Sequence, residues 1–288
     1  MKKRFAAALF AGLVLTFTAG ARAQTAPAAG GFVYLSSTIG PIDAGIVGAL
    51  EDAFEKETGI RVRHVGAGTG AALEIAKQGS VDLVMVHAKS LEEKFVKEGF
   101  GTERIPVMYN DFVLLGPAAD PAGIRGMKTA AEALKAIAAK GAPFISRGDK
   151  SGTHVAELEL WEKAGVKPAG AWYTVWEKGS TGNAPTLLYT DEKGAYTVID
   201  RATYLTLKDK IKVVVLVEKD EALLNFISVI PVNPAKFPRV DNASALVFVR
   251  WLTAPDKGQK LIRDFGVEKY GSPLFFPNSD EWRKAQAR

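Results

Sequence analysis

The 288-residue sequence contains no cysteine. That absence excludes disulfides and thiolate metal sites, so the core alone must stabilise the fold. Only three histidines occur, His64, His87 and His154, with no His-x-x-x-His pair. This argues against a transition-metal cation site. Beyond the N-terminus no apolar run reaches the ~20 residues needed to span a bilayer. The N-terminus itself combines Lys2, Lys3 and Arg4, an apolar stretch from Phe5 to Ala19, and the small-x-small triplet Ala21-Arg22-Ala23. These are the three parts of a secretory signal peptide, residues 1–23. Excess charge is also missing. The formal +5 comes from 37 basic and 32 acidic residues, and Lys2, Lys3, Arg4 and Arg22 belong to the leader. The processed chain, about 265 residues long, is then near neutral. It offers no clustered basic face for nucleic acid.

What is present is an alternation of strands and helices. "FVYLSS" (32–37) reads as a buried strand, and Ile42, Ile46, Leu50 and Phe54 recur at helical spacing until Thr58-Gly59. "IRVRHV" (60–65), a short helix over 71–77 and the apolar "VDLVMV" (81–86) follow. This β-α-β-α-β order is that of a parallel sheet with helices on its faces. A long extended segment spans 107–116, and the pattern restarts with a helix over 129–140, a strand over 143–146 and a helix over 151–164. A loop rich in Gly, Ser and Thr covers 179–185. Strands are expected at 194–200 and 211–217, a second long extended segment at 225–234, and helices near 243–252 and 255–265. Two α/β lobes joined by two crossing strands fit this order. Lobe one comprises 24–112 plus 228–288 and lobe two 113–227. A cleft between lobes is a common ligand site, and two strands can act as its hinge. The charged run Glu51–Glu57 reads as a solvated helix face, and Trp172, Tyr173 and Trp176 as packing for lobe two.

The candidate chemistry lies in three strand-to-helix loops, Ser36-Ser37-Thr38, Gly68-Thr69-Gly70 and Ser151-Gly152-Thr153. In an α/β sheet such loops gather at the carboxyl ends of the strands. Each opens a helix whose first N–H groups are unpaired and partly positive, a natural seat for an anion. A hydroxyl before a helix is also the usual N-cap, so Asp149 or Ser151 could serve the helix alone. Arg147 adds five fixed donors and a permanent charge suited to oxyanions, or pairs with Asp149. For a bound dianion, Asp149 is expected to point away. Ser151, His154 and Asp149 lie close in sequence, yet Asp149 is poorly placed to orient the far nitrogen of His154, and no Gly-x-Ser-x-Gly elbow occurs. Catalysis is not expected. His154 reads as a helix-face residue donating to a neighbour, and His87 as a buried strand-end histidine or a cleft-lining one.

The stretches "AGTGAAL" (67–73), "VDLVMVHA" (81–88), "VMYNDFVLLGP" (107–117), "SRGDKSGTH" (146–154), "AYTVIDR" (195–201), "VIPVNP" (229–234) and "YGSPLFFP" (270–277) resemble the tungstate-binding proteins of bacterial ABC importers. The resemblance covers nearly the whole processed chain in the same order. It implies a type II periplasmic binding fold, each lobe a mainly parallel sheet flanked by helices. It also implies delivery of an oxyanion to a membrane permease. Carried over position by position, the ligand-binding residues are Ser36, Ser37, Thr38, Thr69, Arg147, Ser151 and Thr153. Thr181 joins them as a hydroxyl in the divergent loop. Two stretches depart from the family pattern. "SSTI" (36–39) puts Ile39 where a hydroxyl is expected, and "GSTGNAPTL" (179–187) replaces a glycine-methionine-glycine form. Both fall in the presumed cleft.

The leading expectation is therefore an exported, monomeric periplasmic protein without a cofactor. It would bind a tetrahedral dianion, tungstate first and molybdate next, for an ABC permease. Such an ion accepts hydrogen bonds and donates none, so its site should be all donors. Alternatives are the same fold binding a small organic anion such as a carboxylate, and a secreted hydrolase. A sensing domain of a transcription factor would need a DNA-binding module where the signal peptide stands.

Overall fold

A computed structural model describes residues 31–287. The signal peptide expected at 1–23 lies outside the described residues. Ten strands form in chain order: β1 (Phe32–Thr38), β2 (Arg61–Ala67), β3 (Leu83–Val86), β4 (Ile105–Gly116), β5 (Phe144–Ser146), β6 (Tyr173–Val175), β7 (Thr197–Asp200), β8 (Val214–Val217), β9 (Leu224–Pro231) and β10 (Phe276–Pro277). The main path runs β10-β4-β9-β3-β1-β2, with β7 and β8 pairing β4 further along. β1 pairs in parallel with both β2 and β3. The crossing strands β4 and β9 pair antiparallel with each other, and β9 with β3.

β4 is the spine of the molecule. Residues Ile105–Asp111 pair with β9, whereas Phe112–Leu115 pair with β7. The strand thus changes partners between Asp111 and Phe112. Its side chains alternate faces, as the two-residue strand period requires. Phe112 and Leu114 enter one apolar cluster, with the helices Ala130–Lys140 and Gly152–Lys163. Val113 and Leu115 enter another with Leu187, Ile199 and Val213. β3 does the same on the other side. Leu83 and Met85 pack under the helices Ile46–Thr58 and Asn242–Thr253. Val84 and Val86 pack under Thr69–Ala76 and Lys89–Lys97. Helices therefore cover both faces of each sheet region, and this explains why β3 reads as an unbroken apolar run.

The handover in β4 is pinned by charge. Arg201 donates from Nε to both carboxylate oxygens of Asp111 at 2.8 and 2.9 Å, and its Nη2 lies 2.8 Å from Glu218. Bidentate Arg–carboxylate pairing fixes direction as well as distance. Helix starts are capped where the sequence supplies the oxygen: Thr129 accepts from Glu132 N, and Asp241 from Ser244 N.

One surface expectation needs correction. Glu51, placed on a solvated face, is buried beneath His64, whose Nδ1 lies 3.0 Å from both carboxylate oxygens. Burial, partly offset by His64, raises its carboxyl above the usual range. An edge-strand histidine supplied a partner that helical periodicity does not reveal. Glu57 at the end of the run accepts from Trp251 Nε1 at 2.7 Å and also pairs with Lys257. Trp172 and Tyr173 pack into the cluster around Trp161, and Trp176 stacks on Tyr189 with ring centroids 4.8 Å apart.

Candidate ligand site

The parallel pairing of β1 with β2 and β3 sets Ser36 beside Val65 and Val84, Ser37 beside Gly66 and Met85, and Thr38 beside Ala67. Gly68-Thr69 then follows directly. Two of the three hydroxyl loops thus meet at the carboxyl ends of adjacent strands. Ser36, Ser37 and Thr38 are almost wholly buried. Burying a hydroxyl without a partner is costly. Yet the Ser36 Oγ, Thr38 Oγ1 and Thr69 Oγ1 atoms are buried with no hydrogen-bond partner among the described residues. Thr38 and Gly68 precede the helices Ile39–Asp43 and Thr69–Ala76, and the Thr38 side chain does not cap its helix. Ile39, at the divergent position, is half exposed and lies over Gly66.

Across from them the ends of β5, β6 and β7 gather a second set. Arg147 follows β5 and is nearly buried, with its side chain 11% exposed. Its Nε donates to the Gly179 carbonyl at 3.3 Å, Nη1 to Asn183 Oδ1, and Nη2 to Asp149 Oδ2 at 2.5 Å. A guanidinium carries five N–H donors, so two remain. Asn183 passes the contact on, donating from Nδ2 to Asp200 Oδ2 at 2.6 Å. Asp200 also accepts from Thr203 N and Oγ1 at the start of the helix Arg201–Leu207. Gly179 is obligatory here, because a Cβ on it would lie 1.8 Å from the Arg147 carbonyl oxygen.

Asp149 does not point away as expected. Gly148 and Lys150 take positive φ values of 68° and 60°, which curl the loop back. The Asp149 carboxylate thereby reaches Arg147 and accepts from Ser151 N at 3.1 Å. Burial works to raise this carboxyl, but Ser151 and Arg147 outweigh it and hold it below the usual range. Ser151 itself is the N-cap of the helix Gly152–Lys163, accepting from His154 N at 3.4 Å. Thr153 is buried in the first turn. His154 accepts rather than donates: its Nδ1 takes the Lys150 N–H at 2.9 Å. That nitrogen is occupied by backbone, so Ser151, His154 and Asp149 do not form a relay. Thr181 stands apart from the rest. It is exposed, and its hydroxyl donates to the Lys178 carbonyl at 2.6 Å within a 3-10 turn. The divergent loop contributes Gly179 and Asn183 instead.

The two sides touch. A Cβ at Gly152 would come within 2.2 Å of His87 Cε1, so the imidazole packs directly on the helix start opposite. Burial pushes the His87 ring down to about 4, with Asn225 as a side-chain partner, so it stays neutral at ordinary pH. His87 is at once a packed histidine and part of a cavity wall. That cavity, about 770 Å³, is lined by Thr69, His87, Lys150, Gly152, Asn225 and Phe226 among others, and not by Arg147 or Ser36–Thr38. It is many times the size of a tetrahedral oxyanion. Among the described residues no group of three or more His, Asp or Glu side chains is placed to hold a metal ion.

Asp43 and Asp200 were not among the expected site residues. Asp43 ends the helix that Thr38 opens, is exposed, and feels the charges of Asp200 and Arg147. Burial and the Asp200 charge raise its carboxyl, while Arg147 opposes them.

Residues 23–256 match the model of the PBP superfamily domain. The chain belongs to that superfamily. Within it, the chain is 43% identical over 251 residues to the tungstate-binding protein TupA of Peptoclostridium acidaminophilum, covering 86% of each. It is 41% identical to the solved tungstate-binding protein TupA from Desulfovibrio alaskensis G20, with a TM-score of 0.79 over 87% of this chain and all of that one. The tungstate ABC transporter structure from Geobacter sulfurreducens is 46% identical, with a TM-score of 0.71 over 81% of this chain and 98% of that one. At these identities the chain is a member of the same tungstate-binding-protein family, as the motif resemblance implied.

Proposed function

We propose that this chain is the solute-binding component of an ABC importer. It captures a tetrahedral oxyanion, tungstate with molybdate next, between two lobes and presents it to a membrane permease. The reading divides the chain into lobe one (24–112 plus 228–288) and lobe two (113–227), with β4 and β9 as the connection. The N-terminal signal pattern and the relatives' role support an exported protein.

The observation that carries the proposal is the set of buried, unpartnered hydroxyls at Ser36, Thr38 and Thr69. Hydroxyl protons rotate to suit an acceptor. An oxyanion between these groups and the two spare N–H donors of Arg147 supplies what each lacks. Charge-assisted hydrogen bonds of this kind are roughly twice as strong as neutral ones. Ser37, Ser151 and Thr153 border the same loops, whereas Thr181 is left outside the proposed site. The lobes close on the ligand, and the His87–Gly152 contact limits how far they close. No step in this cycle needs a nucleophile.

A thermal-shift panel tests the proposal, because a ligand that binds only the folded state raises its melting temperature. Tungstate and molybdate should stabilise the protein strongly, sulfate and phosphate less, and simple carboxylates not at all. Stabilisation by carboxylates alone would overturn the oxyanion reading in favour of an organic anion.

A further inference from the structure

The large cavity has no part in the function proposed above. Arg147 and Ser36–Thr38 do not line it. Its volume of about 770 Å³ nevertheless falls in the usual range of small-molecule sites, roughly 300–1,000 Å³. A tetrahedral oxyanion would leave most of it empty. Leu91, Val155 and Phe226 line it, and each is more than 40% exposed. They come from the helices Lys89–Lys97 and Gly152–Lys163 and from β9. Apolar residues scattered singly over a surface need no explanation, but a set that converges from three elements marks a place for a partner molecule.

The polar lining is equally specific. Ser228 is wholly buried, and its Oγ, although near the Glu92 carboxyl, has no hydrogen-bond partner. The pairing of β4 with β9 sets Ser228 beside Pro106, two residues past Arg104, and all three line the cavity. Arg104 donates from Nε to the buried Glu92 carboxylate, which fixes the guanidinium in place. Its Nη1 and Nη2 groups have no partner among the described residues. Lys150 lines the cavity from the facing helix start. Its backbone N–H is spent on His154, whereas its Nζ has no partner among the described residues. Arg283 is already occupied by Asn278 and Asp280. With Lys89, the lining holds four basic side chains against one acidic, Glu159, so it favours a negative guest.

We propose that this cavity is a second ligand site, which takes an organic anion with an apolar body. A carboxylate head accepts from the Arg104 Nη groups and from the Ser228 hydroxyl, and the body packs against Leu91, Val155 and Phe226. Planar carboxylates suit a guanidinium fork, and such charge-assisted bonds are the strong ones. The guest leaves Arg147, Ser36 and Thr38 free, so it binds together with the oxyanion and does not compete with it. This site does not depend on the function proposed above.

Titration calorimetry with sodium 2-naphthoate tests the inference, on the protein alone and on the protein saturated with tungstate. 2-Naphthoate should bind one-to-one in both cases. The uncharged 2-naphthamide and the bodiless acetate should each bind at least tenfold more weakly. Arg104→Lys keeps a cation beside Glu92 and removes the Nη groups, and should weaken 2-naphthoate at least fivefold. Val155→Asp, at an exposed position, puts a carboxylate in the apolar wall and should do the same without lowering the melting temperature. Tungstate affinity should stay within twofold of wild type in both variants. Absence of 2-naphthoate binding, equal binding of 2-naphthamide, displacement by tungstate, or unchanged 2-naphthoate affinity in either variant overturns the inference. If tungstate does not bind while 2-naphthoate binds as described, the proposed function fails and this site stands.

Discussion

The two sides of the candidate site differ in how their polar groups are spent. At the ends of β1 and β2 the Ser36, Thr38 and Thr69 hydroxyls are buried and unpartnered. At the ends of β5 and β7, Arg147, Asn183, Asp149 and Asp200 form a chain in which nearly every group has a partner. The first side stores unsatisfied donors. The second fixes one cation in a rigid frame with two N–H groups to spare. The contrast separates two ways of making an anion site: donors that wait, at a cost to the empty protein, and a cation held in place by its neighbours.

Removing the cation should break the contrast most. Arg147→Ala takes one donor from Asp149 and one from Asn183 Oδ1 and deletes the positive charge. Truncating a buried, hydrogen-bonded charge costs about 2–5 kcal/mol. Tungstate affinity by calorimetry should fall at least tenfold, and the empty protein should lose stability as well. Unchanged affinity would remove Arg147 from the site.

The waiting side should respond in the opposite sense. Thr38→Val keeps the shape and deletes an unpaired buried hydroxyl. An unsatisfied buried group costs about 1–3 kcal/mol. The empty protein should therefore melt higher while tungstate binds severalfold more weakly. A parallel loss of both would mean that Thr38 has a structural partner.

A third prediction sharpens the comparison beneath the saturated side. Glu157, one helix turn into Gly152–Lys163, is buried, accepting from Tyr173 Oη at 2.7 Å and Trp161 Nε1 at 3.1 Å. Burial pushes its carboxyl up to about 7. The folded protein therefore binds this proton more tightly than the unfolded chain, and stability falls as pH rises from the ordinary carboxyl range towards 7. Glu157→Gln keeps the acceptor and removes the titration. Its melting temperature, relative to wild type, should be a few degrees higher at pH 8 than at pH 5. A difference that does not change with pH would contradict the burial argument. The smallest effect is expected for Thr181→Ala, whose hydroxyl only closes its own turn. Affinity and melting temperature should both stay within error of wild type.

Much of this arrangement was readable from residue order. The apolar run at Leu83–Val86 marked a buried strand, the long extended segment at 107–116 marked a crossing strand, and the hydroxyl loops marked strand ends. The motif stretches led to the family. The network around Arg147 was not readable, because it depends on contacts between residues far apart in the chain. Asn183 meets Arg147 across 36 positions, and only the pairing of β5 with β6 and the close approach at Gly179 bring them together. The helix Asn183–Lys193 was hidden because Gly182, Asn183 and Pro185 read as a loop, whereas Asn183 opens a helix and Pro185 sits in its first turn, where no N–H is needed. Asp149 was misjudged because two positive φ values reverse the loop, and only Gly148 among the two residues advertises one.

The most direct test is where the anion sits. Crystals grown with tungstate, with diffraction collected at the tungsten absorption edge, locate the metal by its anomalous signal. The account predicts a single peak whose oxygens lie within hydrogen-bond distance of Thr38 Oγ1, Thr69 Oγ1 and the Arg147 guanidinium. A peak in the large cavity beside His87 and Asn225, with the two hydroxyls and the two spare Arg147 N–H groups still unpaired, would contradict it.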